Sequence, residues 1–264
     1  MISVIVPTMG KREPELHRLL KSLEDQVEKD FEVIIVSQMN YEKVDKIIKN
    51  FNLNINHVKI KKIGLSHARN VGMKYVRGNI VTFSDDDCWY SKNAFKHVKE
   101  TFVKSNTDVA CFQIFDPEKK EYYKLYPSQK KENISHREIF NKSSIEIFVN
   151  LDNVDKQLVK FDEQFGLGAK YPSGEENIFL HDLLKAGYKI SYYPKVVVHH
   201  SKPDIKTRLN LPIFVSKGPL FKRMYNTPIG IVLLTVLFVK KIRYLDRPIK
   251  YYFTALKELI KYRK

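Results

Sequence analysis

Three consecutive aspartates, Asp85, Asp86 and Asp87, directly follow the short apolar segment from Ile80 to Phe83. Such a segment predicts a buried parallel strand, whose carboxyl end is where open α/β sheets bind ligands. Adjacent carboxylates repel one another unless positive charge neutralises them, and hard oxygen ligands suit Mg2+ or Mn2+. The pattern favours a metal site in which the cation also neutralises a departing diphosphate. The alternative is a solvated acidic turn before a helix that begins near Ser91.

Two further pairs of adjacent residues carry groups that exchange protons or bind metals. Glu175 and Glu176 begin a predicted helix after a glycine-containing loop, where the helix dipole favours acids for a purely structural reason as well. His199 and His200 end the last predicted strand, and neutral imidazole is a common ligand of divalent metals. On the residues alone, each pair is either part of a site or a structural feature.

An alternation of strands and helices must position these residues. Apolar runs predict strands at Ile2 to Val6, Phe31 to Val36, His57 to Ile63 and from Ile80 onward, with amphipathic helices between them. This alternation predicts an α/β fold with an open, mostly parallel, Rossmann-like sheet that has helices on both faces. A nucleotide would lie across the carboxyl ends of the strands.

The second half of the chain is less regular. It has a predicted strand at Asp108 to Phe115, then a polar stretch rich in Tyr and Lys from Asp116 to Lys142. This stretch is a surface loop or an excursion close to an acceptor. Two short strands are predicted at Lys189 to Tyr193 and Lys195 to His199, separated by Pro194.

Several segments resemble family 2 glycosyltransferases of the GT-A fold, especially bacterial surface-polysaccharide enzymes. The segment Phe-Ser-Asp-Asp-Asp-Cys-Trp-Tyr, which ends at Tyr90, is similar to the Asp-X-Asp region of that family. The segment Ala-Arg-Asn-Val-Gly, which ends at Gly72, and the Pro7-Thr8 step are similar to two other blocks. The resemblance covers residues 1 to about 201 and implies a GT-A domain over 1–201, followed by a basic helical appendage over 202–264.

The resemblance also implies roles for individual residues. Asp85 and Asp87 would hold the metal, with His199 as an additional ligand, although His200 stays open as the alternative. The residues implied to contact the donor nucleotide are Pro7, Thr8, Arg69, Asp85 and Asp86. A planar arginine cation suits stacking on a base or pairing with phosphate.

The acceptor base and the nucleobase contact are assigned by position. The second acid of the family's Glu-Asp step deprotonates the acceptor hydroxyl, so the resemblance assigns this role to Glu176, with Glu175 as a close rival. The family usually has an Asp after the second strand, where this chain has Gln38. Gln38 offers both a donor and an acceptor to a base edge, so the donor nucleotide is open, with a UDP-sugar the first expectation.

Positive charge is concentrated at the end of the chain. The net charge is +16, and 15 of the 46 Lys and Arg residues but only three of the 30 Asp and Glu residues follow Ser201. Such asymmetry indicates an anionic partner surface, either membrane or nucleic acid. The apolar run from Ile229 to Val239 is too short to span a bilayer, which needs roughly 20 residues.

The last predicted helix is amphipathic. Its apolar face consists of Ile249, Tyr252, Phe253, Leu256, Leu259 and Ile260, and lysines surround that face. This is typical of a helix in a membrane interface, and the alternative is a helix packed on the catalytic domain. Because the basic charge is confined to the tail and no nucleic-acid-binding motif is present, we expect an anionic membrane and no nucleic acid as partner.

These observations predict a metal-dependent, inverting glycosyltransferase. It would transfer a sugar from a nucleotide-diphosphate donor to a hydroxyl of a glycan or lipid-linked acceptor in bacterial surface polysaccharide synthesis. Two cysteines and no signal-peptide pattern lead us to expect a cytoplasmic protein on the inner face of the membrane. The alternatives are a nucleotidyltransferase, which would need a glycine-rich phosphate loop, and a nucleic-acid-binding protein.

Overall fold

The computed structural model describes residues 1–203 and 210–263, and the chain divides into two compact units. The first unit comprises residues 1–63, 67–160 and 183–202, and the second comprises 64–66, 161–182 and the chain from residue 203. The second unit therefore combines the predicted tail with two segments from the first 201 residues.

The first unit contains a nine-stranded mixed sheet. Its strands are β1 (Ile2–Thr8), β2 (Phe31–Ser37), β3 (Ile55–Lys59), β4 (Ile80–Phe83), β5 (Trp89–Tyr90), β6 (Val109–Asp116), β7 (Glu121–Tyr122), β8 (Ile147–Asn150) and β9 (Ile190–His199). The order is β3-β2-β1-β4-β8-β6-β9-β5, and β7 pairs with β6. Neighbours among β3, β2, β1 and β4 are parallel, as are β6 and β9, whereas β8 is antiparallel to both its neighbours. The predicted α/β fold with a mostly parallel sheet is confirmed.

Helices follow the early strands, as predicted. They are α1 (Glu13–Glu24), α2 (Tyr41–Ile48), α3 (Leu65–Met73), α4 (Ala94–Lys104) and α5 (Glu175–Lys185). In α1 the leucines at positions 16, 19, 20 and 23 are all buried, because their spacing places them on one face of the helix. Strands β1, β2 and β4 are buried along their whole length, which explains why they are apolar and do not alternate.

Two predicted strand boundaries are wrong. Strand β3 covers Ile55–Lys59 and not residues 57–63. Strand β9 runs without a break through Pro194, where two strands were expected. Strand β9 accommodates the missing N–H of this proline by a bulge of its own. Cys111 is opposite Tyr192 but Gln113 is opposite Val196, so residues 193–195 of β9 lie across from Phe112 alone. The polar stretch 116–142 contains β7 and a single 3-10 turn at Glu138–Asn141.

Besides the first part of α5, the second unit contains three helices in the described part of the tail, α6 (Leu211–Met224), α7 (Thr227–Lys241) and α8 (Pro248–Lys261). Gly218 allows α6 to approach α8 closely, since a Cβ at this position would collide with the carbonyl of Ala255. Leu234, Ala255 and Leu259 are fully buried between these helices. Within residues 1–203 and 210–263, no helix is both long and apolar enough to cross a membrane.

Candidate active site

The three aspartates lie at the end of the sheet where β1 also finishes. β1 and β4 are parallel, with Ile5 opposite Phe83, and the backbone N–H of Ser84 donates to the carbonyl of Ile5 at 2.8 Å. The chain then turns away from the sheet, and each aspartate contacts residues from a different element. The acidic cluster is therefore built by three separate parts of the first unit.

Asp85 is paired with a buried arginine. The Arg69 side chain on α3 is fully buried, and its Nη2 donates to Asp85 Oδ1 at 2.9 Å and to Ser144 Oγ at 2.7 Å. The Asp85 side chain itself is 35% exposed. Because a buried guanidinium needs a charged partner, Arg69 fixes one side of the carboxylate while the other side faces solvent.

Asp86 is tied to the end of β1. Thr8 Oγ1 donates to Asp86 Oδ2 at 2.7 Å and accepts from the backbone N–H of Gly10 at 2.9 Å. Burial raises the pKa of Asp86, and the Thr8 hydrogen bond opposes this shift. Gln38 is also buried at this point, with its backbone N–H 2.9 Å from the carbonyl of Thr8. Thr8 and Gln38 are thus neighbours at the carboxyl ends of two adjacent strands, and Pro7 lies opposite Val36 inside the same strand pair.

A chain of hydrogen bonds supports the position of Gln38. Ser37 Oγ is 2.7 Å from His57 Nε2, and His57 Nδ1 is 2.7 Å from Asp45 Oδ1. Ser37 is fully buried, so these groups resemble a hydrolytic triad only in their order. Their effect is to join the end of β2 to β3 directly before Gln38.

Asp87 is surrounded by cationic and imidazole groups. His200 Nε2 lies 3.1 Å from Asp87 Oδ1, Arg12 Nη1 pairs with Asp87 Oδ2, and Arg18 Nη2 donates to the Asp87 carbonyl at 3.0 Å. Burial alone would raise the pKa of Asp87, but the contacts with His200 and Arg12 outweigh it and lower that pKa. Burial similarly disfavours the charged form of His200, but the hydrogen bond with Asp87 raises the pKa of this imidazole.

The two histidines at the end of β9 have different surroundings. His199 lies against the rings of Trp89 and Phe115, at 5.7 and 6.3 Å between centroids. Its Nδ1 is buried without a hydrogen-bond partner in the described part of the chain, and burial lowers its pKa. His200, in contrast, points to Asp87. Between the two alternatives left open by the sequence, the geometry favours His200.

Sequence reasoning did not assign Arg12 or Arg18 to the site. Arg12 precedes α1 and pairs with Asp86 as well as Asp87, and Arg18 stacks on the ring of Trp89 at 3.7 Å. No periodicity marks Arg12, because a turn at Gly10, with φ of 62°, directs the chain across the aspartates. Arg18 lies on α1. The available signal was two basic residues soon after the first strand.

The two glutamates belong to the second unit and begin α5. Glu175 is buried, whereas Glu176 is partly exposed. Gly166, with φ of 104°, approaches so closely that a Cβ there would lie 2.8 Å from Ser66 Oγ and 3.4 Å from the Glu175 carboxyl carbon. Glu175 is therefore enclosed by its own loop, and Glu176 is the glutamate that remains open to a substrate.

The donor set suits a divalent cation in chemical type. Asp85 and Asp87 provide carboxylate oxygens, and His200 provides an imidazole beside them. Among the described residues, however, no group of three or more His, Cys, Asp or Glu side chains is arranged to hold a metal ion. Arg12 now supplies the positive charge at Asp87, and its side chain is 53% exposed, so a cation would have to replace this arginine.

The fold and this cluster define a class of protein, the glycosyltransferases of the GT-A fold. The sequence profile described as glycosyl transferase family 2 matches residues 3–154. The chain belongs to glycosyl transferase family 2. The match includes the three aspartates, Thr8 and Arg69, but neither the Glu175-Glu176 pair nor the two histidines.

Individual relatives agree with this assignment. The chain is 31% identical over 112 residues to glycosyltransferase GlyA of Streptococcus pneumoniae, covering 41% of this chain and 16% of GlyA. Its structure resembles the crystal structure of Staphylococcus aureus TarS 1-349 in complex with UDP-GlcNAc, with a TM-score of 0.71, 18% identity and coverage of 98% and 80% of the two chains. It also resembles the mannosyltransferase PcManGT from Pyrobaculum calidifontis in complex with GDP-Man and Mn2+, with a TM-score of 0.62, 12% identity and coverage of 98% and 86%.

The extent of these matches differs between sequence and structure. The chain spans between 16% and 33% of the length of the curated relatives that it matches. The structural matches extend over almost the whole chain at low identity. The fold is therefore shared over almost the whole chain, while the family match in sequence covers residues 3–154.

Proposed function

We propose that this protein is a metal-dependent, inverting glycosyltransferase that transfers a sugar from a nucleotide-diphosphate donor, with UDP-sugar as the first expectation. The observation that carries the proposal is the acidic cluster at the carboxyl ends of β1 and β4, where Thr8, Arg69 and His200 each hold one aspartate. The TarS structure with UDP-GlcNAc supports a nucleotide-sugar donor by its similarity in fold.

In this proposal the donor lies across the strand ends. Thr8 and Gln38 meet the nucleobase, since they are adjacent at the ends of β1 and β2 and Gln38 carries both a donor and an acceptor. Arg69 acts through Asp85, because its guanidinium is buried and committed to that carboxylate. Asp86 keeps the Thr8 hydroxyl oriented towards the same region.

Asp85, Asp87 and His200 would hold Mn2+ or Mg2+. When bound, the cation neutralises the charge that develops on the departing diphosphate. Asp87 is the central ligand, because it is the aspartate that faces both Arg12 and His200. In the absence of a cation, Arg12 stabilises the negative charge of the cluster.

Glu176 is the proposed general base. It accepts the proton of the acceptor hydroxyl while that oxygen forms a bond to the anomeric carbon and the bond to the diphosphate oxygen breaks. The electron pair of the broken bond leaves with the diphosphate, so one displacement inverts the anomeric carbon. Glu175 is the less suitable candidate because it is buried.

The donor is tested by a thermal-shift screen of UDP-, GDP- and dTDP-sugars with and without Mn2+. We expect one nucleotide class to raise the melting temperature, and the increase to require Mn2+, since the diphosphate and the carboxylates are otherwise both negative. An equal response to all nucleotides without Mn2+ would contradict specific donor recognition. The nucleotidyltransferase alternative predicts stabilisation by free nucleoside triphosphates instead.

The tail supports a proposal about location and acceptor. The exposed side of α7 carries Ile229, Val232, Val236 and Val239, and the exposed side of α8 carries Ile249, Phe253 and Ile260. Lysines lie at the end of α7 and along α8, so apolar and basic groups occur together, as expected for a helix pair in the interface of an anionic membrane. We propose a peripheral association with the inner face of the cell membrane and a glycan or lipid-linked acceptor.

The last helix has a buried side and an exposed apolar side. Leu259 is fully buried with Ala255, so part of the predicted apolar face packs against protein. Phe253 and Ile249 are 61% and 69% exposed, so another part has no cover among the described residues. The sequence pattern had assigned residues from the buried side and from the exposed side to a single apolar face.

We expect the double substitution Val236→Asp/Phe253→Asp to weaken binding to vesicles that contain anionic phospholipid by about tenfold to hundredfold. Fully burying such a side chain contributes about 1.5–3 kcal/mol, and a charge in its place opposes insertion. The measurement is co-sedimentation with vesicles at fixed ionic strength. Val103→Asp is the matched control, because Val103 is an apolar residue that is 85% exposed outside the tail. Equal binding of the double variant and the control would exclude this surface.

A further inference from the structure

A lysine from the tail contacts the loop that directly precedes the two glutamates of α5. Lys217 is on α6, and its Nζ donates to Ser173 Oγ at 3.0 Å. Ser173 is separated from Glu175 by Gly174 alone. All of these residues belong to the second unit, so the contact is internal to it.

The same face of α6 also contacts other residues between positions 162 and 182. Gly174, with φ of 103°, packs against Leu220 so closely that a Cβ would lie 2.9 Å from the Leu220 methyl carbons. One turn further along α6, Arg223 binds Asp162 at 2.8 Å and Asp182 at 2.8 Å. Residues three apart share a helix face. Lys217, Leu220 and Arg223 therefore form one surface of α6 that contacts residues 162–182.

The glutamates influence Lys217 electrostatically. Lys217 is partly exposed as a residue. Burial lowers the pKa of Lys217, and attraction to Glu176 and then to Glu175 opposes that shift. Lys217 is therefore linked to this segment by the hydrogen bond to Ser173 and by attraction to the two carboxylates.

We propose that Lys217 is a positioning residue for the acceptor-activating carboxylate: through its hydrogen bond to Ser173 it fixes the segment that leads into α5, and so directs Glu176 at the acceptor hydroxyl. The proposal rests on the proposed function, because it presumes that Glu176 is the general base. Lys217 itself exchanges no proton in the reaction. It gives the tail a role in the chemical step that is separate from membrane association.

The test compares Lys217→Met and Lys217→Arg with wild type, using Mn2+ and the donor identified in the screen, and measuring nucleoside diphosphate release. For Lys217→Met we expect kcat to fall by about 10- to 100-fold through loss of positioning. Lys217→Arg should restore most of kcat, and the dissociation constant for the nucleoside diphosphate should stay unchanged in both variants. Lys222→Met, on the same helix with its Nζ bound to the Ile260 carbonyl, is the control and should behave as wild type.

The outcomes separate this proposal from the proposed function. A wild-type kcat in Lys217→Met would overturn the positioning role while leaving the glycosyltransferase intact. If wild type releases no nucleoside diphosphate from any donor, the proposed function itself fails, and this inference fails with it. If Lys217→Met does not fold, Ser173→Ala replaces it, since it removes only the hydrogen bond. A smaller decrease in kcat is then expected, and an unchanged kcat would overturn the proposal.

Discussion

Replacing Glu176 by glutamine is expected to lower kcat by about 10²- to 10⁴-fold while the affinity for the donor nucleotide stays nearly constant. A positioned general base contributes this factor to proton transfer, and glutamine keeps the size and polarity of the side chain but not its basicity. Glu176 is partly exposed at the first turn of α5, so it can meet an acceptor. The measurements are kcat for nucleoside diphosphate release and the dissociation constant for the nucleoside diphosphate.

Glu175→Gln is the matched comparison for this prediction. Glu175 is 7% exposed and packs beside Gly166, so its substitution should disturb local packing more than proton transfer, with a smaller decrease in kcat. The reverse order of the two variants would assign the base to Glu175. If both retain kcat within a few-fold of wild type, neither glutamate is the base.

Replacing Asp87 by alanine is expected to abolish Mn2+-dependent binding of the nucleotide while the protein remains folded. Asp87 is the proposed metal ligand with the most electropositive surroundings, between Arg12 and His200. Without its carboxylate, Arg12 has only Asp86 at 3.4 Å as its partner among the three aspartates. Loss of one of three protein ligands removes most of the affinity of an oxygen-rich site, because such cations are held by carboxylate charge.

The measurement is isothermal titration with the nucleoside diphosphate in the presence and absence of Mn2+. Asp25→Ala is the control, since Asp25 is a 54%-exposed aspartate in the first unit, remote in sequence from the cluster. Mn2+-dependent affinity equal to wild type in Asp87→Ala would refute the metal assignment. Reduced affinity in both variants would indicate a general effect of charge on binding.

The order of strands and helices and the position of the acidic cluster were predictable because local patterns determine them. The apolar run of β4 followed by three aspartates required a buried strand that ends in polar groups. Parallel pairing with β1 then brought Thr8 to Asp86, as expected for strand ends at one edge of a sheet. The alternation of apolar strands with amphipathic helices was sufficient for the fold class.

Other parts of the site depend on register and on contacts distant in sequence. Trp89 is paired with His199 on β9, and adjacent residues on a strand point to opposite sides. The pairing register therefore determines that His200, and not His199, faces Asp87. A shift of one residue would exchange the two histidines. The effect of Pro194 depended in the same way on pairing, since a bulge in β9 at the proline lets the strand continue along β6. Arg12 and Lys217 reach their carboxylates through a turn and through helix packing, and neither leaves a periodic signal.

Cleavage of the donor in water enriched in 18O tests the central claim most directly. The intact protein is incubated with Mn2+ and each nucleotide sugar, and mass spectrometry identifies the products of slow hydrolysis. Glycosyl transfer predicts a nucleoside diphosphate and a free sugar that carries the 18O, because the bond broken is the one at the anomeric carbon. A nucleoside monophosphate and a sugar phosphate, with 18O on phosphorus, would contradict a glycosyltransferase and favour chemistry at the diphosphate.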